Sequence, residues 1–147
     1  MLDLDSVTVI IVNYNAGSLL TRCVHAALEQ ARQVIVVDNA SSDSSVLKLE
    51  SEFSLENRLC IIRSESNIGF AAGCNKGLNA ATQPYILFLN PDCMLQSGTL
   101  KHLVQALESD STIGMVGGYL TNPDGSEQGG GRRAIPSPWR AFVRAFG

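Results

Sequence analysis

Five short apolar runs recur along the chain at similar spacing, and amphipathic helical patterns fill the four intervals between them. This alternation constrains the fold more than any other feature, because parallel strands need connections long enough to hold a helix. The strand candidates are residues 7–12, 34–38, 59–63, 85–89 and 113–120. Right-handed crossovers place such helices against both faces of a sheet. The sequence therefore predicts an α/β fold with a mostly parallel sheet and helices on both faces.

Each helical interval carries an apolar stripe with the period of an α-helix. Ser41 and Ser42 can cap the second helix, and Ser97 or Thr99 can open the fourth. The residues expected to form the buried stripes are Leu20, Cys23, Val24, Ala27 and Leu28 in the first helix, Val46, Leu49 and Phe53 in the second, Phe70, Cys74 and Leu78 in the third, and Leu100, Leu103, Val104 and Leu107 in the fourth.

Composition, net charge and cysteine spacing limit the classes of protein to which the chain can belong. The 147 residues are 45% hydrophobic and 17% charged, which is typical of one globular domain with its own core. The net charge of −3 gives no support for nucleic acid as a partner. No apolar run approaches the roughly 20 residues of a membrane-spanning helix, and residues 1–5 lack the basic residues of a signal peptide. Four scattered cysteines without a C-x-x-C pair predict reduced thiols in a cytoplasmic chain.

Oxygen-bearing side chains follow three of the predicted strands at the point where each strand ends. They are Asn13, Tyr14 and Asn15 after the first strand, Asp38 at the end of the second, and Asn90 and Asp92 after the fourth. The carboxyl ends of parallel strands meet at the edge of the sheet where ligands bind. Oxygen ligands at that edge suit a nucleotide and a hard metal ion.

Two of these residues have alternative interpretations. Asp92, supported by the Asn90 amide, is a candidate anchor for Mg²⁺ or Mn²⁺ on a nucleoside diphosphate, but Asn90-Pro91-Asp92 can equally be a simple turn. Asp38 can accept hydrogen bonds from a ribose or a base, or it can cap the helix that begins near Ser41. The residues alone leave both pairs of alternatives open.

Glycines recur at every fourth position in Gly69, Gly73 and Gly77. The segment does not match G-x-G-x-x-G, and the chain has no G-x-x-x-x-G-K-[ST]. A dinucleotide fingerprint is therefore poorly supported, and a P-loop is excluded. Gly73 and Gly77 are expected to permit close packing of a helix on the sheet. Asn67 and Gly69, at the turn before that helix, are expected to contribute to the ligand site.

The sequence changes character after the fifth predicted strand. Residues 121–126 are rich in turn formers, and Arg132 and Arg133 follow three glycines. These arginines can close over a diphosphate or lie in a solvated loop. Residues 136–147 form an amphipathic pattern whose apolar face is expected to pack on a part of the protein beyond Gly147, or to lie on a membrane surface.

Four segments, in order, resemble the family 2 glycosyltransferases of GT-A fold, especially their rhamnosyltransferase-like branch. They are residues 9–15 (VIIVNYN), 36–41 (VVDNAS), 67–75 (NIGFAAGCN) and 87–92 (LFLNPD). The resemblance covers residues 6–135. It implies that residues 1–135 form a nucleotide-sugar-binding GT-A domain, a Rossmann-like fold. Residues 136–147 would then begin a truncated acceptor-binding part.

The resemblance also implies roles for individual residues. Nucleotide-binding roles fall on Asn13, Tyr14, Asn15, Asp38, Asn67, Gly69 and Asn90, with Asp38 at the base or ribose. Asp92 corresponds to the metal-binding acid of the family's D-x-D-type motif, with Mg²⁺ or Mn²⁺ as the expected cofactor. Because Asn90 replaces the first acid of that motif, metal affinity without nucleotide is expected to be weak.

The implied function is transfer of a sugar, with rhamnose as a candidate, from a UDP- or dTDP-sugar to an acceptor hydroxyl. The reaction would be inverting and metal-dependent, and the acceptor would be a cell-surface glycan or a lipid-linked glycan. The full-length protein would work in the cytoplasm, at the inner face of the membrane. The catalytic base is expected beyond Gly147, because Asp124 and Glu127 belong to a turn. The alternative is a non-catalytic nucleotide-binding or regulatory module of the same fold.

Overall fold

The computed structural model describes residues 6–129, and within them strands and helices alternate as the sequence predicts. The elements are β1 (Val7–Asn13), α1 (Ser18–Leu28), β2 (Gln33–Asp38), α2 (Ser45–Glu52), β3 (Leu59–Arg63), α3 (Phe70–Leu78), β4 (Tyr85–Leu89) and α4 (Thr99–Glu108). The α/β class is therefore confirmed.

The four strands form one parallel sheet in the order β3-β2-β1-β4. The two central strands, β1 and β2, are paired so that Asn13 lies opposite Asp38. On the other side of β1, Ile11 lies opposite Leu89 of β4. The carboxyl ends of β1, β2 and β4 therefore meet at one edge of the sheet, which we call the carboxyl edge.

Helices cover both faces of the sheet, as predicted. Successive residues of a strand point to opposite faces. One set of β1 and β2 residues packs with α1, α2 and α4, and this larger cluster includes Val9, Ile11, Val34 and Val36. The other set, Ile10, Ile35 and Val37, forms the smaller cluster, on the face where α3 approaches the sheet.

Most predicted stripes are buried, but one predicted cap is wrong. All five stripe residues of α1 are buried, as are Val46 and Leu49 in α2 and Leu100 and Val104 in α4. The fourth helix begins at Thr99, as expected. Ser41 and Ser42 do not cap α2, because that helix begins at Ser45. The Ser41 hydroxyl instead accepts hydrogen bonds from groups of Asn13 and Asn15.

The predicted face of α3 is wrong in two of its three residues. Phe70 is 55% exposed and Leu78 is 44% exposed. The buried residues are Gly73, Cys74 and Gly77. A Cβ on Gly77 would lie 2.5 Å from Cγ2 of Ile10. The glycines thus let the backbone of α3 approach the sheet, which confirms the packing role expected for Gly73 and Gly77.

Replacing Gly77 by alanine is expected to lower the free energy of unfolding by about 1–2 kcal/mol. Alanine gains about 1 kcal/mol of helix propensity over glycine, so the steric cost must exceed that gain. Ile10 is fully buried and β-branched, and it cannot easily move away. Urea unfolding followed by circular dichroism measures the change.

Gly117→Ala is the matched control, because no described atom beyond its chain neighbours lies within 4 Å of a Cβ built there. An unfolding free energy for the Gly77 variant that equals or exceeds that of the unmodified chain would contradict the close approach of α3.

The strand before Asp92 is less buried than the sequence suggests. The unbroken apolar run of residues 85–89 predicts a strand that is buried on both faces. This prediction is wrong, because β4 pairs only with β1 in the described sheet and Phe88 is 47% exposed. The fifth strand predicted at 113–120 is also not formed. Three glycines interrupt that segment, and glycine weakens a strand because it has no side chain to pack.

Residues 117–129 belong to a second compact unit, and within it the predicted turn is present. The Asn122 and Gly125 amides close the turn, and Gly125 has a φ of 83°. The domain boundary at 135, Arg132, Arg133 and the amphipathic pattern of 136–147 lie outside the described residues. Over residues 6–129, no helix has the length and apolar character needed to cross a bilayer.

Candidate functional site

The carboxyl edge is organised around the side chain of Asn13, at the end of β1. This side chain is fully buried. Its Nδ2 lies 3.0 Å from each of three acceptors, which are Oδ1 of Asp38, Oγ of Ser41 and Oγ of Ser45. Its Oδ1 accepts a hydrogen bond from the Ala16 amide at 3.3 Å. Asn13 therefore ties the end of β1 to β2 and to the start of α2.

Asp38 ends β2 and is only 4% exposed. Its Oδ1 accepts from Asn13, and its Oδ2 accepts a long bond of 3.4 Å from the Ser41 amide. Because α2 begins at Ser45, Asp38 does not cap that helix. The carboxylate sits at the carboxyl edge, where a nucleotide contact was predicted, and its present partners are protein groups.

Asn15 and Asp43 join the loop after β1 to the loop after β2. Asn15 has a positive φ of 55°, and its Oδ1 accepts from the backbone amides of Ser42 and Asp43. Asp43 in turn accepts from the Gly17 amide at 2.9 Å. Its hydrogen bonds with Ser45, together with the Gly17 amide and the charge of Lys48, lower the pKa of the Asp43 carboxyl below its usual value. Asn15 and Asp43 thereby fix the backbone beside the exposed ring of Tyr14.

A second pair of amides joins β2 to the turn before α3. Asn39 is 3% exposed, and its Nδ2 donates to Oδ1 of Asn67 at 2.8 Å. Its Oδ1 accepts from the Ile68 amide at 2.9 Å. Gly69, which precedes α3, has a φ of 83° and donates to Oδ1 of Asn67. The predicted residues Asn67 and Gly69 are therefore exposed on a turn whose position Asn39 fixes.

Asn90 to Cys93 form a tight turn after β4, in which the Cys93 amide donates to the Asn90 carbonyl oxygen at 3.0 Å. Residues 90–93 therefore form a turn under both interpretations of this segment, and the metal-binding role of Asp92 stays a prediction. Asp92 is exposed, and its Oδ1 lies 3.7 Å from the Cys93 thiol. Because a thiol is a weak donor, the carboxylate remains open to a stronger partner.

The side chains at this turn fit a metal ion that is coordinated mainly by substrate phosphates and water, and only in part by the protein. Across residues 6–129, no group of three or more His, Cys, Asp or Glu side chains is placed to hold a metal ion. One exposed carboxylate suits Mg²⁺ or Mn²⁺, which commonly bind one or two protein carboxylates together with water and substrate phosphates. All four cysteines are free thiols, and burial, aided by Cys93 and Asp92, raises the pKa of Cys23 to about 12.

The structure brings the predicted residues together in two groups. Asn13, Asn15 and Asp38 share one hydrogen-bond network, and the pair Asn39 and Asn67 continues from β2. The turn of Asn90 and Asp92 is the second group, held to α1 by Cys23. Four residues that support the site were not predicted from the sequence, namely Cys23, Asn39, Asp43 and Ser45. Only the adjacency of Asn39 to Asp38 gave any signal for them.

These features define a parallel α/β domain with polar side chains gathered at the carboxyl edge of its sheet, and similarity to solved structures identifies its GT-A fold. The mannosyltransferase PcManGT from Pyrobaculum calidifontis, in complex with GDP-Man and Mn²⁺, matches 73% of this chain and 33% of its own, at 28% identity and a TM-score of 0.64. S. aureus TarS in complex with UDP-GlcNAc matches 69% of this chain and 31% of its own, at 24% identity and a TM-score of 0.61. The GT-A prediction is confirmed.

Residues 8–145 match the family described as Glycosyl transferase family 2, and the chain belongs to this family. The glycosyltransferase GlyG of Streptococcus pneumoniae is 27% identical over 78% of this chain and 39% of its own length. Bacillus subtilis TuaG, whose name proposes a glycosyltransferase of teichuronic acid biosynthesis, is 30% identical over 82% of this chain and 49% of its own. The chain thus spans less than half the length of these relatives.

Proposed function

We propose that the protein is a glycosyltransferase of cell-surface glycan synthesis that binds a nucleoside-diphosphate sugar at the carboxyl edge of its sheet. The observation that carries this proposal is the turn after β4, which exposes Asp92 beside the end of β1. The network of Asn13 and Asp38 lies at the adjacent strand ends. Family membership and the name of TuaG support the class of reaction and its cellular role.

The donor proposed is a UDP- or dTDP-sugar, with rhamnose as the candidate sugar of the branch that the four sequence segments resemble. The complex of PcManGT with GDP-Man makes a guanine nucleotide the competing donor. Tyr14, Asn15, Asn67 and Gly69 are exposed at the edge and would line the nucleoside. The resemblance assigns nucleotide contacts to Asn13 and Asp38 as well, but both side chains are buried and bonded to protein groups, so the proposal gives Asn13 the role of holding the loops and keeps Asp38 as the acid nearest the base or ribose.

In the proposed mechanism, Asp92 would hold Mg²⁺ or Mn²⁺ against the diphosphate, with the Asn90 amide beside it. The metal, when bound, stabilises negative charge on the departing diphosphate. Asp92 would hold and orient that ion, because it is the exposed carboxylate of the turn after β4. The reaction is proposed to be inverting, with a base from the acceptor-binding part of the whole protein, beyond Gly147. We place that reaction in the cytoplasm, at the inner face of the membrane, with a glycan or lipid-linked acceptor.

A thermal-shift panel tests the donor site. UDP, dTDP, GDP and NAD are each added with and without Mn²⁺. A nucleotide at a hundred times its Kd stabilises the folded state by about 2.7 kcal/mol, so we expect a rise of about 5–10 °C for UDP or dTDP with the metal. NAD is the negative control. A shift with NAD alone, or none with any nucleotide, would contradict the proposal.

The alternative, a non-catalytic nucleotide-binding module, predicts the same shifts. Its support is that Asp124, an acid of the described turn after residue 120, accepts hydrogen bonds at Oδ1 from the amide and the hydroxyl of Ser126 and so helps to form the turn. Sugar transfer by the whole protein separates the two: hydrolysis or transfer of the donor supports the enzyme, and binding without either supports the module.

A further inference from the structure

The carbonyl oxygen of Asn90 accepts hydrogen bonds from two cysteines. The first donor is the Cys93 amide at 3.0 Å, which closes the turn. The second is the thiol of Cys23 on α1, whose Sγ lies 3.5 Å from the oxygen across 67 residues of sequence. A protonated thiol is a donor, and the carbonyl has a second lone pair free for it. One oxygen thus links the turn to itself and to a helix.

The two partners of this contact differ in how firmly the fold holds them. Cys23 is fully buried in the larger core cluster, flanked on α1 by the buried residues Leu20 and Val24. Asn90 and Asp92 are exposed. Pro91 has no backbone N–H to contribute a further bond. The Cys23 thiol therefore connects an exposed turn to a packed element.

We propose that Cys23 is a positioning residue for Asp92, because it anchors the turn from which the metal-binding carboxylate projects. The inference rests on the proposed function for its consequence in metal binding. Asp92 is the one carboxylate in the turn. A displacement of the turn backbone would therefore displace the only carboxylate that this turn can offer to a metal ion. The Cys93 thiol lies 3.7 Å from Oδ1 of Asp92, so the residue whose amide closes the turn also contacts the carboxylate.

The test compares Cys23→Ala and Cys23→Ser with the matched control Cys74→Ala. Serine keeps a donor on the same Cβ, whereas alanine removes it. Cys74 is also a buried helical thiol, but it lies on α3, in another part of the structure. Thermal unfolding of each variant shows whether the substitution has destabilised the fold, as distinct from displacing the turn that carries Asp92.

Two measurements are made on each variant. The first is amide hydrogen exchange at Cys93, the donor that closes the turn, and it needs no ligand. The second is the ratio of the UDP or dTDP Kd without Mn²⁺ to the Kd with it. A net hydrogen bond of ordinary strength corresponds to a change of about threefold to tenfold, which is the size expected for both measurements in Cys23→Ala.

Faster exchange at Cys93 and a reduced Mn²⁺ effect in Cys23→Ala, with recovery in Cys23→Ser and no change in Cys74→Ala, would support the inference. Equal values in Cys23→Ala and Cys74→Ala, or no recovery with serine, would overturn it. If the unmodified chain gains no nucleotide affinity from Mn²⁺, the proposed function and the role in metal binding both fail. Exchange at Cys93 then still decides whether the anchor exists.

Discussion

Replacing Asp92 by alanine is expected to abolish the Mn²⁺-dependent part of nucleotide binding while leaving the fold intact. The carboxylate is exposed, and its one described contact is the Cys93 thiol. Exposed side chains of this kind usually change stability by less than about 0.5 kcal/mol. A metal on a phosphoryl oxygen stabilises charge by several kcal/mol, so the loss of affinity in the presence of Mn²⁺ should be about a hundredfold or more.

Calorimetric titration of UDP or dTDP, with and without Mn²⁺, measures this loss. Asp92→Asn removes the charge and keeps the shape, so it should lose nearly as much affinity as the alanine variant. Asp110→Ala is the control, because Asp110 is also an exposed acid in a turn, where it bonds Thr112. If the Asp92 variants keep the Mn²⁺ effect of the unmodified chain, Asp92 does not bind the metal.

The parts of the fold that the sequence predicted are those where the side chains bury their own apolar surface. The stripe of α1 follows from its helical hydrophobic period, and the strands β1 and β2 follow from their continuous apolar runs. The face of α3 was mispredicted because Gly73 and Gly77 bury backbone, which a hydrophobic pattern does not record. The exposure of Phe88 was missed for a related reason. An apolar run shows which residues favour burial, but not whether a neighbour covers them.

The residues of the candidate site likewise fall into those that the sequence predicts and those that it does not. Parallel strands place their carboxyl ends at one edge, so Asn13, Asp38 and Asp92 could be assigned to that edge from strand position alone. Their supporting residues could not. Ser45 contacts Asn13 across 32 residues and Cys23 contacts Asn90 across 67. Loop conformation sets these contacts, and the local sequence carries no period that reports them.

Replacing Asn13 by alanine is expected to lower the free energy of unfolding by about 2–4 kcal/mol, because it removes the donor shared by three buried or half-buried oxygens. An amide nitrogen has two hydrogens, so the three contacts at 3.0 Å share them. Without this group, the 4% exposed carboxylate of Asp38 keeps one side-chain hydrogen bond, the 3.4 Å bond from the Ser41 amide, and the charge of Arg63 nearby. A buried charge with fewer partners is the largest part of the expected cost.

Urea unfolding of Asn13→Ala and of the control Asn57→Ala measures this cost, since Asn57 is exposed and is expected to change stability little. Nucleotide affinity should fall in Asn13→Ala even where the variant is folded, because the loops that carry Tyr14 and Ser41 lose their common partner. The Mn²⁺ effect should persist, since the turn of Asp92 is held by Cys23 and not by Asn13. Loss of the Mn²⁺ effect in this variant would show that the two groups of the site act as one unit.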